Sequence, residues 1–160
     1  MRVIIKDSAA EVASVASEHI AEVVRAGRAA GKPAVLGVAT GSSPLGTYAA
    51  LAERVRAGEL DMEGVKAFAL DEYVGLEPSH PESYAVVIGR TVTEQLGLDP
   101  EDVRVPNGLA ADIQAECADF ERAIVDAGGI DLQLLGIGGN GHIGFNEPTS
   151  SFGSRTRPKT

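Results

Sequence analysis

The sequence predicts an α/β fold: a mostly parallel sheet with helices packed on both faces. Three observations lead there. Short apolar runs alternate with amphipathic helical stretches along the chain, the pattern of successive strand–helix units joined by right-handed crossovers. The run Pro33–Ala39 is continuously apolar, as a strand buried on both faces must be. Apolar residues make up 44% of 160 positions, enough for one domain that buries roughly two-thirds of its unfolded surface.

Each element has a local reason. Arg2–Lys6 is a β-branched run and reads as a first strand. Ser8-Ala9-Ala10-Glu11 is a capping box, and Val12, Val15, Ala16, Ile20, Val23 and Val24 recur at helical spacing up to about Ala30, where Gly31 stops the helix. After the strand Pro33–Ala39, Ser43 suits an N-cap and Pro44 a first helical position, so a helix is expected to about Ala57. Val65–Leu70 reads as a third strand, ending in Asp71-Glu72-Tyr73-Val74-Gly75. A proline-containing loop, Glu77–Pro81, leads into a helix from Pro81 to Leu96, closed by Gly97. Val103–Val105 is a brief fourth strand, Ala111–Ala127 a helix stopped by Gly128-Gly129, and Asp131–Ile137 a fifth strand. The sheet so built is Rossmann-like, without internal repeat or interdomain linker, so residues 1–160 are read as one domain. The tail Thr149–Thr160 has no apolar periodicity and reads as a loop leading toward a further segment.

Composition narrows the function. Aromatic residues are only 4% and tryptophan is absent, which disfavours a stacking surface for nucleic-acid bases. A net charge of −9 disfavours nucleic acid and anionic membranes as partners, and an anionic substrate would need local positive potential against that field. The single cysteine, Cys117, suits a reducing compartment. The start is too short and too charged for a signal peptide, and the apolar runs fall short of the ~20 residues of a membrane span. A cytoplasmic protein is expected.

Three strand ends could carry chemistry. Thr40-Gly41-Ser42-Ser43 joins a buried strand to a helix start, where free amides, the helix dipole and hydroxyls suit a phosphate; as an isolated feature it is as readily an ordinary capped turn, and it lacks the Gly-Lys-Ser/Thr of a Walker loop. Asp71 and Glu72 are adjacent carboxylates at a strand end, of which one can face the mouth and act as a general base while the other turns away. In Gly138-Gly139-Asn140-Gly141-His142, closely set glycines let backbone approach a ligand, and His142 can move a proton near neutral pH with Asn140 or Glu147 fixing its tautomer. His19 and His80 lack zinc-ligand spacing, and Gly136-Ile137-Gly138-Gly139 lacks the dinucleotide fingerprint, so neither a metal nor a cofactor is expected. A phosphate cradle, a carboxylate base and a histidine together suit proton transfer on a phosphorylated sugar.

The stretches Ala39–Pro44, Leu70–Leu76, His80–Tyr84, Ala111–Cys117 and, above all, Gly138–Pro148 carry a family resemblance. The chain resembles the glucosamine-6-phosphate deaminases of the isomerase type. The resemblance implies conversion of glucosamine 6-phosphate and water to fructose 6-phosphate and ammonia, in amino-sugar catabolism, with no redox cofactor or metal. It implies that His142 assists ring opening with Asn140 and Glu147 in support, and that Asp71 moves a proton from C2 to C1 through an enolamine. Thr40, Gly41, Ser42 and Ser43, with Glu72, would contact substrate. In some branches the position of Asn140 is an aspartate, which would alter the pH profile. In an allosterically regulated branch, the positions matching Ser150, Ser151, Arg157 and Lys159 form an effector site. Family members are longer, so the chain is expected to be the N-terminal part of such an enzyme, with exposed apolar surface; a homo-oligomer is left open. The competing readings are a 6-phosphogluconolactonase, disfavoured by Glu147 after His142-Ile143-Gly144-Phe145-Asn146, and a non-catalytic sugar-phosphate-binding fragment.

Overall fold

A computed structural model describes residues 2–159; Thr160, the last residue of the expected tail Thr149–Thr160, lies outside them. Four strands form one parallel sheet in the order β3-β2-β1-β4: β1 Val35–Val38, β2 Lys66–Ala69, β3 Val103–Arg104 and β4 Leu132–Gln133. The helices are α1 Ala9–Ala29, α2 Leu45–Arg56, α3 Tyr84–Ile88, α4 Glu94–Leu96 and α5 Ile113–Asp126. A π-helical segment, Gly89–Thr93, joins α3 to α4 without a break.

Alternation along the strands sorts the core into two layers. Leu36, Val38, Ala67 and Ala69 point to the face covered by α1, α2 and the α3–α4 helix, where Ile20, Val24, Leu51, Ile88 and Val92 are buried. Val35 and Phe68 point to the other face and pack on Phe120 of α5, the two rings edge to face at 5.7 Å. Helices therefore cover both faces, and all four residues of β1 are buried. The chain runs outward from β1 to β3 and then returns to the other side of β1 for β4. The order thus reverses between β1 and β4, and beyond the carboxyl ends of those strands an α/β sheet opens its crevice.

Several expectations need correction. Arg2–Lys6 joins no ladder: the four strands pair among themselves, and Val3 and Ile5 are left 69% and 87% exposed. The third helix starts at Tyr84 rather than Pro81, because the Ser83 hydroxyl caps it by accepting from the Val86 amide while Glu77–Ser83 is spent in turns. Ser43 is not a cap; Pro44 takes that position with no side-chain bond. β4 pairs over two residues only, and beyond it Leu135 and Ile137 are 44% and 74% exposed. The capping box of α1 forms, with the Ser8 hydroxyl accepting from the Glu11 amide and the Glu11 carboxylate from the Asp7 amide. Among the described residues no helix is long and apolar enough to cross a membrane.

The end of β1 is pinned by a group that the sequence did not flag. Buried Tyr48, in the first turn of α2, donates its hydroxyl to the Ala39 carbonyl at 2.8 Å and accepts from the Ala39 amide at 3.0 Å. Burial pushes its phenol up to about 12, so it stays neutral. Tyr48→Phe would leave both backbone groups unsatisfied. It is expected to cost about 1–3 kcal/mol, read as a lower urea midpoint at unchanged slope.

Candidate active site

The glycine loop after β4 is shaped by what its glycines lack. A β-carbon on Gly138 would fall 2.1 Å from Cε1 of His142, so the imidazole lies flat against bare backbone. The Gly138 amide donates to the His142 carbonyl and the Gly141 amide to the Gly138 carbonyl, both at 2.8 Å. Gly141 sits at φ +89°, where an L side chain is strained. The sequence thus curls the chain back on itself and turns His142 over its own loop.

His142 is oriented by a short polar run. Its Nδ1 lies 2.6 Å from Oδ1 of Asn140, which also accepts the His142 backbone amide at 3.1 Å. The Nδ2 of Asn140 donates to the Glu147 carboxylate at 2.9 Å. That contact fixes the amide's orientation, since the ionised carboxylate only accepts. Oδ1 then faces the ring and also only accepts, so neutral His142 carries its proton on Nδ1. Nε2 is left as the nitrogen able to take a proton.

Asp71 follows β2. Burial, and next the adjacent Glu72 charge, raise its carboxyl to about 6. A β-carbon on Gly144 would meet Leu70 at 2.9 Å and the Asp71 carboxylate at 3.0 Å, so the histidine loop closes directly over the acid. Glu72 turns away. Its carboxylate accepts from the amides of Tyr73 at 2.7 Å, Tyr84 at 3.0 Å and Ala85 at 2.9 Å. Its carboxylate is thereby tied to the first turn of α3.

Thr40–Ser43 leaves β1 with Gly41 at φ +93°, and Ser42 and Ser43 are exposed just before α2. Among the described residues, no hydrogen bond takes up the amides of Gly41, Ser42 or Ser43. Donors at a helix start with the dipole behind them suit an anion. Gly136 lies 3.8 Å from the Ser43 side chain, measured to the β-carbon it lacks. The three strand ends therefore adjoin: Ser43 against Gly136, and Asp71 against Gly144. Cavities lined by Val55, Leu60 and Met62, and by Val24, Pro33 and Val65, open instead at the amino ends of the strands.

The tail folds back toward this mouth. Glu121 of α5 accepts from the amide and hydroxyl of Thr156, both at 2.8 Å, and pairs with Arg155 at 3.3 Å. Arg157 donates to the Asn146 side chain in the histidine loop at 2.8 Å. Ser150 and Ser151 are engaged in local turns, and Lys159 is exposed. Sequence reasoning missed Tyr73, Tyr84 and Phe145 as a group. Their rings cluster beside Asp71, with centroids 4.8 Å apart for Tyr73 and Tyr84 and 6.2 Å for Tyr84 and Phe145.

The Asp71 shift has a definite sign. Its native value lies above the usual carboxylate range, so the native state holds more protons than the unfolded chain between about pH 4 and pH 6. The contribution is fully present below the unfolded value and is lost as pH rises through about 6. Asp71→Asn is therefore expected to stabilise the fold at pH 8 but not at pH 3, by on the order of 1–2 kcal/mol once solvent screening is allowed for. Carboxyl NMR of Asp71 should give a midpoint near 6; one at the ordinary aspartate value would contradict the burial argument.

Comparison with known proteins agrees with this layout. Residues 7–145 match the family described as glucosamine-6-phosphate isomerases/6-phosphogluconolactonase. Two proteins named glucosamine-6-phosphate deaminase, from Cutibacterium acnes and Streptomyces coelicolor, are 56% and 50% identical to it over 100% of this chain. The chain spans 60% of the length of each. A solved monomeric glucosamine-6-phosphate deaminase superposes with a TM-score of 0.88 at 38% identity, covering 97% of this chain and 63% of its own. A 6-phosphogluconolactonase from Thermotoga maritima shares the fold at a TM-score of 0.70 and 21% identity, covering 88% of this chain and 61% of its own. With the profile matched across most of its length and these identities, the chain belongs to the glucosamine-6-phosphate isomerase/6-phosphogluconolactonase family.

Proposed function

We propose that this chain carries the proton-transfer site of a glucosamine-6-phosphate deaminase, converting glucosamine 6-phosphate and water to fructose 6-phosphate and ammonia. The observation that carries the reading is the meeting, at one end of the sheet, of a desolvated Asp71 carboxylate and the glycine loop that holds His142. The two relatives named as deaminases, at 56% and 50% identity, support it over the lactonase reading.

In this reading the phosphate sits on the free amides of Gly41–Ser43 at the α2 start, which puts the sugar carbons over Asp71. Ring opening moves the proton of the C1 hydroxyl to the ring oxygen. Nε2 of His142 can accept the first and supply the second, while Asn140 and Glu147 hold the ring in register. Asp71 then removes the C2 proton of the open aldose, leaving an enolamine. Returning that proton to C1 gives a C2 iminium, to which water adds and from which ammonia departs. One carboxylate serves both carbons because they are adjacent, and a pKa near 6 suits a group that must take and give a proton near neutrality. Glu72 serves by holding α3 rather than by touching substrate. Ser150, Ser151, Arg157 and Lys159 remain a proposed effector site, favoured by the Arg157 bond to Asn146 in the catalytic loop.

The test is ammonia release from glucosamine 6-phosphate by the purified chain. Asp71→Asn is expected to lower kcat about 10²–10⁴-fold, the span of general acid–base catalysis. Hydrolysis of 6-phosphogluconolactone without ammonia release would reverse the assignment.

Asn140→Asp places a charge against Nδ1 and should stabilise the imidazolium. The acid limb of the kcat/KM profile is expected to move up by about one pH unit. An unmoved profile would remove Asn140 from the account.

A further inference from the structure

The histidine loop Gly138–Pro148 bends over Asp71, yet among the described residues no hydrogen bond joins it to the loop after β2 or to α3. Its bonds stay within the loop or run to the tail, through Ser150 and Arg157. The side chain that reaches across is a ring. Phe145 lies 5.6 Å from Tyr73 and 6.2 Å from Tyr84, centroid to centroid, and is nearly parallel to Tyr84 at 12°. Tyr73 and Tyr84 are themselves a pair, 4.8 Å apart, with the Tyr84 hydroxyl donating to that of Tyr73 at 3.1 Å.

The shelf under Phe145 shares its backbone with the acid. Glu72 stands between Asp71 and Tyr73, and its carboxylate accepts from the amides of Tyr73, Tyr84 and Ala85. Both rings of the shelf are thus fixed through the neighbour of Asp71. On the loop, Phe145 directly follows Gly144, whose bare backbone meets Leu70 and Asp71. The two residues share one turn, closed by the backbone bonds that Ile143 and Asn146 exchange. Gly144 supplies room for the close approach but no attraction. The ring beside it supplies attraction, by leaving water for two other rings.

We infer that Phe145 is a positioning residue of this site: its ring, seated on Tyr73 and Tyr84, latches the histidine loop down over Asp71. The contact lies at the surface. Phe145 is 39% exposed and Tyr73 43%, and none of the three rings belongs to either core layer. Losing the ring should therefore open the loop without unfolding the domain. The effect on turnover rests on the function proposed above, whereas the closure itself is read at Asp71 without reference to any substrate.

The test compares the purified wild-type chain with Phe145→Leu, which keeps apolar bulk but no ring, and with Phe145→Tyr, which keeps the ring. Carboxyl NMR gives the Asp71 midpoint, and ammonia release from glucosamine 6-phosphate gives kcat. Burial raises the Asp71 carboxyl to about 6. A loosened loop admits water, so Phe145→Leu is expected to lower that midpoint by about one pH unit and kcat about 10-fold, with the urea midpoint near wild type. Phe145→Tyr should rescue most of both losses. If the Asp71 midpoint does not move in Phe145→Leu, or already stands at the ordinary aspartate value in the wild type, the latch is wrong, and ammonia release by the wild type would still uphold the deaminase reading. A lowered midpoint with undiminished kcat in an active chain would overturn the positioning role, as would a Phe145→Tyr variant as impaired as Phe145→Leu. A fall in the urea midpoint in step with the other losses would make the ring an ordinary packing group and overturn it too. An Asp71 midpoint that depends on the ring, in a wild-type chain that releases no ammonia, would support the latch and sink the deaminase chemistry.

Discussion

His142 occupies the space in which Gly138 would carry a β-carbon, and Asp71 lies at the same kind of gap beside Gly144. These two close approaches set the geometry of the whole mouth. A side chain at either position would push the loop away from the sheet and separate the imidazole from the acid. The strands can be varied in length and the helices in composition, but the loop can lie this near β2 only while its backbone is bare. The loop's remaining bonds are consistent with that constraint. Ile143 and Asn146 exchange backbone bonds at 3.0 Å, forming a tight turn with Gly144 inside it.

Sheet order explains why the loops meet at all. β1 is central and wholly buried, and both its neighbours run parallel to it, so three successive carboxyl ends open on one side. Tyr48 closes the hydrogen-bonding capacity of Ala39, which stops the ladder one residue beyond β1 and frees Thr40 to turn outward. Neighbouring carboxylates then divide their work by direction. Asp71 stays against the apolar Leu70 and bare Gly144, where ionisation is costly, while the Glu72 carboxylate accepts from three amides. The same dipeptide supplies a group with a raised pKa and a structural cap, because one side chain faces the mouth and the next faces α3.

The buried strands were legible because a strand covered on both faces must be continuously apolar, as Pro33–Ala39 is, and as Val65–Leu70 is but for the exposed Lys66 at its start. The site's main groups were legible because glycines, a histidine and acids at strand ends announce themselves by position. Arg2–Lys6 was misread for the converse reason: β propensity describes a segment, whereas a strand needs a neighbour to pair with. The role of Glu72 could not be read either. Its partners are the amides of Tyr84 and Ala85, twelve and thirteen residues on, and no local pattern marks such a bond. Tyr84 lies within His80–Tyr84, one of the stretches that carry the resemblance, but the 4% aromatic content bore only on a stacking surface for nucleic-acid bases. A low aromatic content says nothing about where the few rings collect.

Electrostatics bear on the kind of anion site this chain can build. With a net charge of −9, the surroundings repel a phosphate. The arginines nearest the histidine loop are already engaged, Arg155 with Glu121 and Arg157 with Asn146. What faces outward at Thr40–Ser43 is backbone amide at a helix start, whose partial charge is small but fixed and needs no side chain to be ordered. The same economy governs His142. A neutral Asn140 stands between the ring and the Glu147 carboxylate, so the imidazole is oriented by an amide rather than by a charge. Asp71, its carboxyl raised to about 6 by burial, lies under a loop that presents Nε2 of His142 with Nδ1 already engaged by Asn140. That pairing, more than any single group, suits the mouth to moving protons between neighbouring atoms of a sugar.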